Sequence, residues 1–487
     1  MLPLQDTGSS RRPLASVNLR LLVGCLALAC VLLGMFYLIR WKRPHWLDRE
    51  TVDVVALQEL QTAKLALSPP AAGKDWPQWF GPERDGRAPD GVFRTDWNAA
   101  PPEILWTTPC GGGYSSLVLS ENRLFTQDRL GDQERVLCVR ADTGQPLWVY
   151  EYPANYADAG ISYGAGPRAT PLVRGQRLYC LGATGMLLCL QWQGDSAPEV
   201  VWKHDLQSEY SATIPTWGLA SSPLYEEGLI IIQAGGRLGS LAAFDAESGA
   251  LRWTAGTDPV GYSSPVAVTA AGVRQIVAVS GTSVLGVEPT RGTILWSQAW
   301  RTDHNANIAM PLVIGDYVFL SSSYGKGCML VQLSPADSGS VPGPVSSRVV
   351  YFRKGRVMRN HHATSVYHEG YLYGYDNNTL RCVNLRDGEM VEHWIARDDQ
   401  GRAIEKGCLI LAGNHLVGLT QRGTVFLADA DPEEFRFRGQ REKVLEGSQS
   451  DCWALPILAD GRLYLRDNQK LVCLDVRDKP ALRELSK

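Results

Sequence analysis

Side chains able to stack on a ligand, or to pair with its charge, recur at one position of a repeated sequence phrase. Eight copies of the phrase align on a small or apolar residue that is often followed by proline, as in Thr170-Pro171 and Ser222-Pro223. Two places before that residue the copies hold Tyr114, Arg168, Ala220, Tyr262, Ile308, His362, Lys406 and Trp453. Three aromatic side chains with Arg, His and Lys favour an anionic or sugar-like ligand, through stacking and charge.

Three more residues are candidates for the same rim, because they lie just upstream of two of these positions. They are Trp217, His304 and Asn307. The alternative is that all these side chains belong to solvated loops and vary because nothing constrains them.

The histidines raise the question of a metal site, since neutral imidazole is a common metal ligand. Four of the eight fall in two clusters, at His304 and at His361, His362 and His368. Adjacent residues of a strand point to opposite faces, so His361 and His362 are not expected to bind one ion together. No metal site is predicted. No G-x-S-x-G, P-loop or H-E-x-x-H motif occurs, and no catalytic residue is predicted.

The repeated phrase predicts the fold that must position these residues. Each copy ends in an aromatic residue, and successive ones are 42–55 residues apart: Trp106, Trp148, Trp202, Trp253, Trp296, Tyr351, Trp394 and Phe437. A repeat of this length with four short strands is typical of a β-propeller. We predict eight four-stranded blades, the last one completed by the N-terminal strand Ile104-Leu105-Trp106. Seven blades are the alternative, because the copy at 407–437 is degenerate.

Composition excludes some functions and a disulfide framework. The 487 residues carry a formal net charge of −3, which does not favour nucleic-acid binding. Cys138, Cys189, Cys382 and Cys473 occupy equivalent places in different blades, too far apart for disulfides, which need Cα atoms within about 7 Å. We expect them to be buried small hydrophobic residues.

The N-terminal region predicts a membrane anchor. Residues 21–39 are apolar or small, carry no charge and are long enough to span a bilayer. We divide the chain into a cytoplasmic tail (1–20), a transmembrane helix (21–39), a stalk or linker (40–74) and the propeller (75–487). A cleaved signal peptide or a lipoprotein signal at Cys30 are the alternatives; the flanking basic residues are too balanced to orient the helix.

The blade pattern "L-x-C-L-D-x-x-T-G-x-x-L-W" resembles the PQQ-like (pyrroloquinoline-quinone-type) propellers. That superfamily includes quinoprotein alcohol dehydrogenases and the propeller lipoprotein of the bacterial outer-membrane barrel-assembly machine. The lead-in Asp75-Trp76-Pro77-Gln78-Trp79-Phe80-Gly81, the triplet Asn360-His361-His362 and the run Gly325-Lys326-Gly327-Cys328 resemble a bacterial group of such propellers. The resemblance implies an exported propeller, on the periplasmic side of the bacterial cytoplasmic membrane.

Two functions follow from this resemblance. The first is a non-catalytic binding or assembly scaffold in the cell envelope, with no cofactor, whose partners are other envelope proteins or a small anionic or sugar-like ligand. The alternative is a PQQ-dependent dehydrogenase that oxidises alcohols or sugars with bound quinone and calcium. If the resemblance extends to these enzymes, it implies a disulfide between adjacent cysteines and a carboxylate base. This chain has no Cys-Cys dipeptide.

Overall fold

The computed structural model describes residues 75–88, 93–161, 164–336, 345–445 and 452–478. In this part of the chain 31 strands form eight antiparallel sheets, which confirms the all-β class and the eight-bladed propeller. The predicted tail, the transmembrane helix and the stalk lie outside the described residues. No helix within the described ranges is long and apolar enough to cross a membrane.

The first four blades follow each other along the chain. Blade 1 contains β2 (Val118–Ser120), β3 (Arg123–Leu130), β4 (Gln133–Arg140) and β5 (Pro146–Pro153). Blade 2 contains β6 (Leu172–Arg174), β7 (Arg177–Leu181), β8 (Met186–Gln191) and β9 (Glu199–Asp205). Blade 3 contains β10 (Leu224–Glu226), β11 (Leu229–Ile232), β12 (Leu241–Asp245) and β13 (Leu251–Ala255). Blade 4 contains β14 (Val266–Ala270), β15 (Val273–Val279), β16 (Ser283–Val287) and β17 (Ile294–Ala299).

The other four blades complete the ring. Blade 5 contains β18 (Leu312–Ile314), β19 (Tyr317–Ser322), β20 (Gly327–Pro335) and β21 (Val345–Lys354). Blade 6 contains β22 (Val366–His368), β23 (Tyr371–Asp376) and β24 (Thr379–Asn384). Blade 7 contains β25 (Gly407–Ala412), β26 (His415–Thr420), β27 (Val425–Asp429) and β28 (Phe437–Arg441). Blade 8 contains β29 (Ile457–Ala459), β30 (Arg462–Arg466), β31 (Lys470–Asp475) and β1 (Glu103–Pro109).

Blade 6 corrects the prediction of four strands in every blade, since it has three in the described chain. Pairing along β24 ends in a single bridge from Val383 to Met390, and the chain then turns, with Trp394 N donating to Val391 O at 3.1 Å. The turn buries Trp394 completely, and its indole donates to Asp431 O of blade 7 at 2.8 Å. The aromatic landmark is therefore retained although its strand is not.

The ring closes as predicted, through β1. This strand pairs with β31 from Glu103 to Pro109, and the Trp106 indole donates across to Ala141 O of blade 1 at 3.0 Å. The guanidinium of Arg466 is fully buried at the same joint. It donates to Gln127 O at 2.6 Å, to Thr126 Oγ1 at 2.8 Å and to Gly111 O at 3.1 Å. Blade 8 is thereby bonded to blade 1 by main-chain and side-chain groups.

The "T-G-x-x-L-W" phrase repeats because it forms the outer joint between neighbouring blades. The Trp202 indole of blade 2 donates to Ala246 O of blade 3 at 3.1 Å. Gly249 follows in the blade 3 turn with φ 75°, and a Cβ there would lie 2.7 Å from the Trp202 ring. Both the backbone conformation and the close approach therefore require glycine.

The small residue of the phrase forms the inner joint. Its hydroxyl accepts a backbone N–H of the preceding blade at 2.7–3.0 Å in five of the eight joints. The accepting hydroxyls are those of Thr170, Ser222, Ser264, Thr364 and Ser116, the last of which closes the ring to Leu455 N. Hydroxyl-bearing side chains are favoured here because the amides at the start of the inner strands are buried and need partners.

The lead-in segment 75–88, called the plug below, crosses the propeller axis. Trp76 exchanges backbone hydrogen bonds with Leu119 of blade 1, at 2.8 and 2.9 Å. Farther along the plug, Arg84 donates to Ser222 O and Pro223 O of blade 3, at 3.2 and 3.1 Å. At its end, Ala88 N donates to Leu411 O of blade 7 at 2.7 Å. The plug therefore bridges inner strands from opposite sides of the ring.

Within the described ranges helical structure is slight, and the described cysteines are free. One α-helix lies there, α1 (Leu206–Tyr210), capped by Asp205, whose side chain accepts from two backbone amides. Two 3₁₀ turns cover Gly236–Leu238 and Asp303–Asn305. Eight of the nine described cysteines are buried, Cys138, Cys189, Cys382 and Cys473 among them, and none forms a disulfide. The expectation of buried small hydrophobic residues is confirmed.

Candidate functional site: the axial cavity

A cavity of about 340 Å³ lies on the propeller axis, where the chain enters the inner strands. Six aromatic side chains line it: Trp79, Tyr114, Trp217, Tyr262, Tyr324 and Trp453. Five of them come from segments that precede or connect blade strands, and Trp79 comes from the plug. A volume near 300 Å³ and mainly apolar walls are typical of small-molecule sites.

The aromatic rings form a continuous wall on one side of the cavity. The rings of Tyr114 and Trp453 stack with centroids 4.9 Å apart, and His362 stacks on the other side of Trp453 at 3.9 Å. His361 lies 3.7 Å from His362 and meets Tyr324 edge-on at 5.3 Å. Packing of this kind holds the side chains in place before any ligand arrives, which lowers the entropic cost of binding.

Positive charge reaches the cavity from two sides. The guanidinium of Arg168 lines it, donates to Trp217 O and lies 5.2 Å from the centre of the Tyr114 ring. Lys406 approaches from behind the histidines, with its ammonium 2.6 Å from Nδ1 of His361. The described residues that line the cavity include no Asp or Glu.

The two histidines are neutral at pH 7. Burial, and then the charge of Lys406, lower the pKa of His361 to about 4. Burial lowers the pKa of His362 to about 2, helped by the positive charges of His361, Lys406 and Arg168. Lys406 can only donate, so Nδ1 of His361 accepts and its Nε2–H is free to donate to the Tyr324 hydroxyl 3.2 Å away.

Hydroxyl groups of the inner joint also line the cavity. Ser222, Ser264 and Thr364 each accept a backbone N–H there and contribute to the cavity wall. A hydroxyl that accepts one bond retains a donor hydrogen, which can rotate toward a ligand. The cavity thus combines aromatic surface, two imidazoles, one guanidinium and the hydroxyl groups of serine, threonine and tyrosine side chains.

Six of the nine residues proposed from sequence line this cavity: Tyr114, Arg168, Trp217, Tyr262, His362 and Trp453. The other three lie elsewhere. Lys406 contacts the cavity through His361, and the ring of exposed His304 lies 6.3 Å from the Trp217 ring. Asn307 is buried, and its amide donates to Ser280 O and Trp300 O at 2.7 and 2.9 Å, which is a structural role. Whether the six bind a ligand stays a prediction.

Eight further lining residues were not proposed from sequence, among them Trp79, Tyr324 and His361. The sequence argument against shared metal binding by His361 and His362 assumed that they lie on a strand, but residues 357–365 form no strand and the two imidazole centroids are 3.7 Å apart. The sequence signal for Trp79 is the lead-in motif, whose tryptophan and phenylalanine residues belong to no blade. Among the described residues, no three His, Cys, Asp or Glu side chains could hold a metal ion together.

The family model of outer membrane protein assembly factor BamB, a PQQ-like propeller family, matches residues 132–391, more than half of the chain. The chain belongs to this family. No curated protein is significantly similar to it in sequence.

Solved PQQ-like structures have the same fold. BamB from Moraxella catarrhalis superposes with a TM-score of 0.51 at 12% identity, over 77% of this chain and 99% of that one. The quinohemoprotein alcohol dehydrogenase of Comamonas testosteroni gives a TM-score of 0.56 at 12% identity, over 88% of this chain and 86% of that one. Such low identity establishes the fold and leaves the activity open.

The cavity residues do not fit the calcium and carboxylate base that the dehydrogenase alternative implies. Calcium takes six to eight oxygen ligands, largely from carboxylates, and the described lining residues include no carboxylate. The neutral His361 and His362 are weak bases at pH 7, because their pKa values lie near 4 and 2. Arg168 could pair with a carboxylate, but that property serves binding alone.

Proposed function

We propose that the protein is a membrane-anchored, non-catalytic binding propeller of the bacterial cell envelope. Membership of the BamB family, over residues 132–391, supports a role in holding other envelope proteins. The anchor would be residues 21–39, with the propeller on the periplasmic side of the cytoplasmic membrane.

The composition of the axial cavity carries the non-catalytic part of this proposal. Oxidation of an alcohol needs a group that takes up a proton. The described lining residues offer two weakly basic histidines, one guanidinium and neutral hydroxyl groups. These groups can grip and orient a ligand.

The experiment uses the full chain expressed in a Gram-negative host. Isolated cytoplasmic membranes are supplied with PQQ and calcium, and the reduction of an electron-acceptor dye is followed with alcohols and aldoses. We expect no reduction above membranes that lack the protein. Protease added to spheroplasts should degrade the propeller from outside, whereas a cytoplasmic marker stays intact.

Two results would contradict the proposal. Substrate-dependent dye reduction that needs both PQQ and the protein would establish the dehydrogenase alternative. A propeller protected from protease until the spheroplasts are lysed would place it in the cytoplasm and exclude the envelope role.

A further inference from the structure

The charge pattern of the axial cavity favours an anionic ligand. Arg168 lies in the wall, and Lys406 stands behind His361 with 2.6 Å between Nζ and Nδ1. Their positive charges contribute, after burial, to the low pKa of His362. A guanidinium binds a carboxylate through paired N–H donors in one plane.

The aromatic walls favour a ring. Trp453 and Tyr114 stack on each other along one side, and Trp217 packs against Tyr262 with centroids 5.3 Å apart on another. Trp79 adds an indole from the plug. Flat apolar surfaces around one space bury both faces of a ring more effectively than they bury a flexible chain.

The number of positive groups in the lining limits the negative charge that a bound ligand can carry. One guanidinium lines the described cavity wall, and both imidazoles there are neutral. The lining also supplies the hydroxyls of Ser222, Ser264 and Thr364, three tyrosine hydroxyls and the indole N–H groups, which suit hydroxyl or carbonyl oxygens of a ligand. One carboxylate is therefore matched, and a ring with several carboxylates is not.

We propose that the axial cavity binds a monocarboxylate carried on a ring, with the carboxylate at Arg168 and the ring against Trp79 of the plug. The ligand is a sugar acid or an aromatic acid, which present the same chemistry to these groups. This deepens the proposed binding function and rests on it. Because Trp79 belongs to the plug, the ligand is held between the propeller and the chain segment that leads into it.

The test is calorimetric titration of the full chain in detergent micelles, with empty micelles as reference. The probes are 2-naphthoate and its neutral amide 2-naphthamide, and D-glucuronate with neutral D-glucose. We expect at least one acid to bind and its neutral counterpart to bind about tenfold more weakly or worse, since bonds to a charged group are the stronger ones. The acid that binds identifies the source of the ligand.

Two variants separate the two ends of the site. Arg168→Gln should weaken the acid by about tenfold or more and leave the neutral counterpart unchanged. Trp79→Ala should weaken both members of the pair by a similar factor of about three to ten, since stacking does not depend on the charge. Arg237→Gln, at an exposed arginine outside the cavity lining, is the control and should bind like the wild type.

Binding of neither acid at millimolar concentration would overturn the proposal, as would equal binding of acid and neutral counterpart by the wild type. The wild-type comparison needs no variant to fold. A failed titration would leave the membrane and protease results of the envelope role untouched, whereas dye reduction with intact acid binding would overturn the non-catalytic role alone.

Discussion

His362 shows at the scale of one residue how the cavity controls protonation. Its ring lies between Trp453 at 3.9 Å and His361 at 3.7 Å, and burial there holds its pKa near 2. Removing water disfavours the imidazolium, and the nearby charges of Lys406 and Arg168 add to that effect. The residue serves as a neutral stacking surface at pH 7.

This pKa predicts acid sensitivity, of which a single change removes one part. An unfolded His has a pKa of about 6.5, so below that pH the unfolded chain binds a proton that the folded chain does not. The free energy of unfolding therefore falls as the pH drops from about 6.5 toward 2. His362→Gln should flatten this dependence by up to about 1.4 kcal/mol per pH unit. Denaturant unfolding at pH 7.5, 6.0, 5.0 and 4.5 measures it, and parallel wild-type and variant curves would contradict it.

The sequence predicted the site residues that lie in register with the repeat. Arg168 and Trp453 stand two places before an inner-joint residue, and the common fold of the blades brings them to one axis. Trp79 could not be found this way, because its position depends on where the plug crosses the ring. Asn307 shared the sequence neighbourhood of the rim, but buried carbonyls at Ser280 and Trp300 engage its amide.

At the scale of elements, the two tryptophans of the plug have different roles: Trp76 packs in the core and Trp79 lines the cavity. Trp76 is 1% exposed and bonded to β2, whereas Trp79 is half-buried at the cavity. The sequence identified the lead-in motif but contained no periodicity that would place it, since it belongs to no blade.

The two tryptophans predict different costs of truncation. Trp76→Ala should lower the free energy of unfolding by about 3–5 kcal/mol, because it leaves a cavity in the buried core. Trp79→Ala should cost clearly less, since its ring already borders open space. Urea denaturation of both variants measures this, and equal losses would show that the plug packs as one uniform element.

Blade 6 shows why the strands themselves were less predictable than the joints. Trp394 kept its place in the repeat because its indole bonds to blade 7 at Asp431 O. The strand around it is replaced by a turn at Val391. Trp394, the closing aromatic residue of its copy, contacts the next blade. Such a residue therefore predicts the number of blades better than the number of strands in each blade.

At the scale of the whole molecule, stability depends on closing the ring between blades 8 and 1. The pairing of β1 with β31 was predicted from the missing last strand, and it removes a free sheet edge. Arg466 was not predicted, because its partners lie about 340–355 residues away along the chain. No local pattern relates residues so distant in sequence.

Replacing Arg466 should lower the free energy of unfolding by a large amount, because it lies at this joint. Arg466→Met should lower the free energy of unfolding by about 3 kcal/mol or more, because it leaves the buried carbonyls of Gly111 and Gln127 without their donor. Arg252→Met is the control: this exposed arginine of blade 3 pairs with the partly exposed carboxylate of Asp245, and its loss should cost about 1 kcal/mol or less. Urea denaturation of both measures the difference, and equal losses would contradict the role of Arg466 in closure.

Binding at the axial cavity is tested most directly by titrating the full chain with 2-naphthoate and D-glucuronate, in the wild type and in Arg168→Gln. The predicted result is heat of binding for at least one acid in the wild type, and affinity at least about tenfold lower in the variant. Affinity that is the same in both proteins, or no binding of either acid at millimolar concentration, would contradict it.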